Sequence, residues 1–142
     1  KIEIDDSYSD GVDSDFSDID FEKIIVNSAG NDCIDFSAGK YIVQYANLNK
    51  CGDKGVSAGE KSRVKVFKIL INNSKSGLVS KDTSILNVEE HDIDNSIYCV
   101  TAYRKKNAYF GGVVNLKSGK CNSNNQLNDF YIQEGSLLNY KY

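Results

Sequence analysis

The sequence predicts an all-β chain, a right-handed parallel β-helix (solenoid) of about five to six rungs with a 22-residue repeat. Three observations carry that reading. Gly11-Val12-Asp13, Cys33-Ile34-Asp35, Gly55-Val56-Ser57, Gly77-Leu78-Val79 and Cys99-Val100-Thr101 begin at positions 11, 33, 55, 77 and 99, a constant step of 22. Within each repeat, three short stretches alternate apolar and polar residues with the period of two that a half-buried strand requires. Gly, Asn, Asp and Ser gather at the corners, and nothing shows the 3.6-residue period of helical repeats, which also need roughly 33 residues or more.

The first strand of each rung points Val12, Ile34, Val56, Leu78 and Val100 inward, followed two residues on by Ser14, Phe36, Ala58, Ser80 and Ala102. The second strand is marked by the inward pairs Ile19/Phe21, Tyr41/Val43, Val64/Val66 and Leu86/Val88. The third is marked by Ile24/Val26, Ala46/Leu48, Ile69/Ile71 and His91/Ile93, where His91 reads as a hydrogen-bonded core residue. Between the second and third repeats these columns advance by 23, which puts one inserted residue in the Gly59-Glu60-Lys61 turn; a corner shorter by one before Gly77 restores the register. Stacking rungs ~4.8 Å apart turns each column into a ladder, and Asn27, Asn49, Asn72 and Asp94 form one directly after the third strand. Ile2 and Ile4 alternate like one further strand. Regular rungs are expected over residues 10 to 116, with an irregular C-terminal rung or cap over 117 to 142. There Lys117 to Gln126 reads as a loop or corner bulge, and Phe130-Tyr131-Ile132 with Leu137-Leu138 as a last incomplete rung.

A chain of 142 residues, 40% of them hydrophobic, can close one core, so residues 1–142 are expected to form one domain. Its first residue is Lys rather than Met, which points to a processed product or part of a longer protein. A net charge of −3 argues against a nucleic-acid partner, because phosphate binding needs clustered Lys and Arg in excess. No run approaches the roughly 18 apolar residues of a membrane span, and the N-terminal residues do not have the pattern of a signal peptide. Cys33, Cys51, Cys99 and Cys121 lack metal-site spacing. Their even number permits two disulfides without specifying any. Cys33 and Cys99 share a column three rungs apart, about 14 Å, beyond disulfide reach. They read as small buried apolar residues, while Cys99 and Cys121 come within reach if the last rung keeps the 22-residue spacing.

The stretches DGVDSDF, NDCIDFSAGK, GDKGVSAGEKS and GLVSKDTS resemble the β-helix modules of the pectin-lyase-like superfamily. They are most similar to the versions with GNDGIDFS, GDKGISxGExS and GxxSKDxS rungs in bacterial secreted and surface proteins, some of them beside spore-coat-type kinase domains. The chain departs from that pattern at Cys33, where the pattern has Gly. The resemblance implies an extracellular or cell-surface setting. It also implies that any chemistry would lie on the outer face of the first strand. Superfamily lyases there hold Ca²⁺ on carboxylates and use Lys or Arg as base, and hydrolases pair two carboxylates.

On that outer face the columns read Asp13, Asp35, Ser57, Val79, Thr101 and Asp15, Ser37, Gly59, Lys81, Tyr103, acidic at the first rungs and basic at the last. Candidate catalytic residues are Asp13, Asp15 and Asp35, also the Ca²⁺ candidates, with Lys81 or Arg104 as base. The two-rung gap between Asp35 and Lys81, about 10 Å, weighs against them. The competing reading is structural, with inter-rung pairs such as Glu60 with Lys81 or Asp82 with Arg104, and Lys54 near Asp32 or Asp53. Glu60, Lys61, Lys81, Asp82 and Tyr103 are the expected ligand-facing surface. The sequence therefore points first to a noncatalytic module, structural or polysaccharide-binding and without an obligate cofactor. An enzyme acting on polysaccharides, a lyase or glycoside hydrolase, comes second, and an assembly subunit of a fibre or virion that pairs with itself or a neighbouring subunit through the solenoid ends or faces comes third.

Overall fold

The computed structural model describes residues 1 to 140. It is an all-β solenoid of about six turns in which every strand pairing is parallel. The strands are β1 (Ile2–Ile4), β2 (Val12–Asp15), β3 (Asp18–Val26), β4 (Ile34–Ser37), β5 (Lys40–Asn49), β6 (Lys54–Gly59), β7 (Arg63–Lys81), β8 (Ile85–Tyr103), β9 (Val113–Ser123), β10 (Phe130–Ile132) and β11 (Leu137–Tyr140). The long strands bend through corners, so one hydrogen-bonded sheet wraps three faces around the core. The first face stacks β2, β4, β6, the C-terminal parts of β7 and β8, and β10. The second begins with Asp18↔Lys40↔Arg63↔Ile85↔Val113↔Leu137, and the third with Ile2↔Ile24↔Ala46↔Ile69↔His91.

The inward columns fill the core as their apolar spacing requires. Ile34, Val56, Leu78 and Val100 are buried, as are Tyr41, Val64, Leu86 and Val114. Each buried aliphatic contributes about 1.5–3 kcal/mol. Phe36 lies flat between Phe21 and Tyr41, with centroids 5.6 and 4.1 Å away, and the Tyr41 hydroxyl donates to the carbonyls of Ser14 or Ser37, at 2.8 and 3.0 Å.

The corner after the first face shows how the inserted residue is absorbed. The first two rungs turn with one left-handed residue each, Phe16 and Ala38, whereas the next two use two, Glu60-Lys61 and Asp82-Thr83. The pairing accordingly steps by 22 from Ser37 to Gly59 but by 23 from Lys40 to Arg63, and it returns to 22 at Lys54↔Ser76. The Asn ladder is present and longer than the four residues read from the sequence. Asn27 donates to Asp5, Asn72 to Asn49, Asn95 to Asn72 and Asn122 to Asp94. A second amide column on the second face, Asn87, Asn115 and Asn139, is bonded at 2.8 and 2.7 Å.

Two expectations need correction. Lys117 to Ser123 is strand rather than loop, because the extra residues lie earlier, between Tyr103 and Val113; β8 and β9 therefore pair with an offset of 28, as in Ile85↔Val113. The cysteines are not free apolar residues, since Cys33 bonds Cys51 and Cys99 bonds Cys121. Each bridge joins the first corner of a rung to the end of the same rung, a geometry that a comparison within columns does not reach. Cys121 pairs across from Ile93 and not at a 22-residue step from Cys99 in the ladder. The column that holds Cys33 and Cys99 is otherwise glycine because it abuts the next rung: a Cβ at Gly55 would lie 2.5 Å from the Gly77 carbonyl oxygen.

Candidate functional site

The first face turns Asp13, Asp35, Ser57, Val79 and Thr101 away from the core in strict register, as the alternation requires. Only the first of them is open to solvent, because from Ser57 onward the column is buried. The cause is Lys81. Gly59 has no side chain, so the Lys81 stem runs back across it, with Cε 2.9 Å from where a Cβ would stand, and carries the ammonium to 4.0 Å from Asp35 Oδ1. The two-rung gap that weighs against this pair is thus crossed. Among the described residues, Asp35 Oδ1 and Ser57 Oγ are enclosed without a hydrogen-bond partner.

Beside it lies a second buried polar group. Asp32 repeats the role of Asp10 one rung earlier: Asp10 accepts from the Asp32 N–H at 2.9 Å, and Asp32 accepts from the Lys54 N–H at 3.1 Å. The Lys54 ammonium contacts both oxygens of Asp32, at 3.2 and 3.4 Å, and Asp53 Oδ2 at 2.5 Å. Burial alone would pull Lys54 down, but the hydrogen bond to Asp53 and the charge of Asp32 hold it above its ordinary value. Burial lifts Asp32 despite Lys54. Burial also raises the Tyr103 phenol, which lies within electrostatic reach of Lys54, Asp53 and Asp32.

Of the candidate metal ligands, Asp13 and Asp35 come together with Asp10, their carboxylate oxygens within 4.8 Å of one another. Asp15 is not among them. Burial, then the charges of Asp15, Asp35 and Asp10, raises Asp13. This donor set fits a hard cation only in part. Ca²⁺ takes roughly six to eight oxygens, Asp10 Oδ1 already accepts from Asn31 and Asp32, and Lys81 stands against Asp35. Arg104 is likewise apart, with its backbone N–H bonded to Gln133 Oε1 at 2.7 Å.

The remaining ligand-facing residues meet at the corner. Glu60 is joined to Lys106 rather than to Lys81, and Asp82 accepts from the backbone N–H groups of Lys105 and Lys106, at 2.7 and 2.8 Å, rather than from the Arg104 side chain. Those bonds clasp the Arg104–Gly112 loop against the corner, and Thr83 adds two more through its N–H and hydroxyl. The loop brings Tyr109 under Lys61, whose ammonium is 5.7 Å from the ring centroid. The result is an open groove of about 570 Å³ lined by Asp18, Lys40, Glu60, Lys61, Arg63 and Tyr109. Sequence reasoning missed Tyr109 because the loop's place depends on the 28-residue step, which no repeated motif marks; Lys40 and Arg63 open second-face strands in the legible 23-residue step, but nothing marked them as lining a groove until the loop was placed. His91 is a core residue as read, with Nε2 3.2 Å from the Tyr140 hydroxyl.

Comparison with protein-family models finds no match, and neither do searches of curated proteins and of solved structures.

Proposed function

We propose that the chain is a noncatalytic β-solenoid module of a secreted or cell-surface protein that binds a polysaccharide in the corner groove beside Glu60 and Lys61. One observation carries the reading: Lys40, Lys61 and Arg63 line an open groove with Tyr109, while the groove's Glu60 is already paired with Lys106. A cationic trough with an aromatic wall suits an extended acidic glycan. Two disulfides support an oxidising setting. The resemblance to pectin-lyase-like modules agrees with a carbohydrate ligand. The enzymatic alternative, which draws on Asp13, Asp15 and Asp35 with Lys81 or Arg104, is weakened because Asp35 and Lys81 stand 4.0 Å apart as a charge pair and Arg104 lies apart from the acids. Isothermal titration against acidic and neutral oligosaccharides tests the proposal. Acidic chains should bind, more weakly at high salt, and Lys61→Ala with Arg63→Ala should weaken binding at least about tenfold. Absence of binding across the panel, or full binding by the double variant, would overturn it. Depolymerisation of the same glycans would favour the enzyme.

A second reading, head-to-tail association of copies, is favoured by the end rungs. Glu3, Ile25, Asn47, Leu70, Asp92 and Lys120 form one column, so Lys120 of one copy would meet Glu3 of the next. Light scattering should then show concentration-dependent oligomers that Glu3→Lys disperses and Glu3→Lys with Lys120→Glu restores.

A further inference from the structure

Asp32 and Lys54 sit on successive rungs of one column, tied by the Lys54 N–H bond to Asp32, so the backbone presents both side chains on the same side. The pair is nearly closed to water, with Asp32 2% and Lys54 15% exposed. The nitrogen lies 3.2 and 3.4 Å from the two Asp32 oxygens, so it faces the carboxyl group as a whole. The two groups are thus held in contact, and held reactants at roughly 3–3.5 Å carry effective molarities far above any free solute. A third group completes the arrangement, because Asp53 Oδ2 touches the same ammonium at 2.5 Å and can take its proton.

We propose that Lys54 and Asp32 are joined by an intramolecular amide, a covalent cross-link between the second and third rungs, with Asp53 as the proton shuttle. Asp53 accepts a proton from the ammonium, and the freed Nζ lone pair attacks Asp32 Cγ. The C–N bond forms as one Asp32 C–O bond breaks. Two of the three ammonium protons leave on that oxygen as water, the second delivered through Asp53, which ends as the carboxylate it began as. Nothing is oxidised or reduced, and no co-reactant is needed. The first of the two departing protons passes from the ammonium through Asp53 to the Asp32 carboxylate, and burial of Asp32 favours the neutral, electrophilic form this transfer produces. The product replaces a desolvated ion pair with a neutral amide, which removes the cost of keeping two charges out of water.

The bond closes a loop beside the Cys33–Cys51 disulfide but does not respond to reductant. The test is the intact mass of the whole chain after full reduction and alkylation. The wild type should be about 18 Da, one water, lighter than its sequence, and tandem mass spectrometry should find a branched peptide joining Asp32 to Lys54. Lys54→Arg and Asp32→Ala should restore the full mass, and Asp53→Asn should lower the linked fraction at least about tenfold in freshly purified protein. Wild-type protein that keeps its full mass after prolonged incubation overturns the cross-link, as does a water loss that persists in Lys54→Arg. An unchanged linked fraction in Asp53→Asn overturns the shuttle.

Discussion

Lys81 shows how much a single side chain decides here. Because its stem crosses Gly59 and its ammonium faces Asp35, Lys81→Met should leave a buried carboxylate oxygen with no counter-charge. The expected loss is about 1–3 kcal/mol of unfolding free energy in urea titration, and Lys81→Met with Asp35→Asn should recover part of it. His91 yields a pH effect of definite sign. Burial, opposed by a Ser118 backbone bond and by Asp92, holds its imidazole below the ordinary value. The unfolded chain takes up a proton as pH falls through roughly 6.5 while the fold does not. Stability from this group is therefore complete above that value and declines as pH drops toward the folded pKa. Thermal midpoints at pH 7.5 and 5.5 should diverge more for the wild type than for His91→Gln. The columns that hold Asp35, Ser57 and Lys81 were legible in the 22-residue step. The folding-back of Lys81 was not, because the period sets which way a side chain leaves the backbone and says nothing of its rotamers.

At the scale of elements, corners matter more than strands. Ala38 turns the second rung with φ 51°, a conformation that costs a residue with a Cβ about 1–2 kcal/mol and glycine little. Ala38→Gly should raise the thermal midpoint slightly, net of glycine's extra chain entropy. The disulfides act on whole rungs. In the Lys54→Arg background, where no amide encloses the same segment, replacing Cys33 and Cys51 together by Ser releases a loop of sequence separation 18 and should cost about 3 kcal/mol in denaturant unfolding. The Cys33–Cys51 bridge was not legible, and Cys99–Cys121 was named as possible only on an adjacent-rung spacing that the ladder does not have, since ladder reasoning compares a residue with those directly above and below it. These pairs instead run across the end of a rung, where Cys51 stacks on Ala29 and Cys121 on Ile93. The inserted corner residue was legible from two columns stepping by 23, whereas the loop after Tyr103 was not, because no motif recurs beyond it to fix the step.

Across the whole molecule, charge and strand length are unevenly spread. Residues 1 to 22 carry nine acidic side chains against one Lys, and the central strands β7 and β8 are the longest. In a stacked array stability is the sum of rung and neighbour terms, so the ends open first. Amide exchange should be slowest in β7 and β8 and fastest in β1 and β2, and added salt should slow it most over residues 2 to 22 by screening the acidic rungs. Uniform protection along the chain would contradict this ordering. The Arg104–Gly112 loop stands outside that array. Its mouth is fixed by Tyr103 against Lys81 and by Val113 against Ile85 and Leu137, and its body is clasped through backbone groups to Asp82 and Thr83. Its exposed residues Lys105, Asn107 and Ala108 can be exchanged while the rungs keep their register, whereas Gly111 and Gly112 cannot, since a Cβ there would run into Ser136 Oγ and the Ser80 carbonyl oxygen. The solenoid thus has a natural grafting port: between two fixed strand ends, a foreign segment can be spliced in place of those exposed residues, provided Tyr109 is kept as the wall of the neighbouring groove.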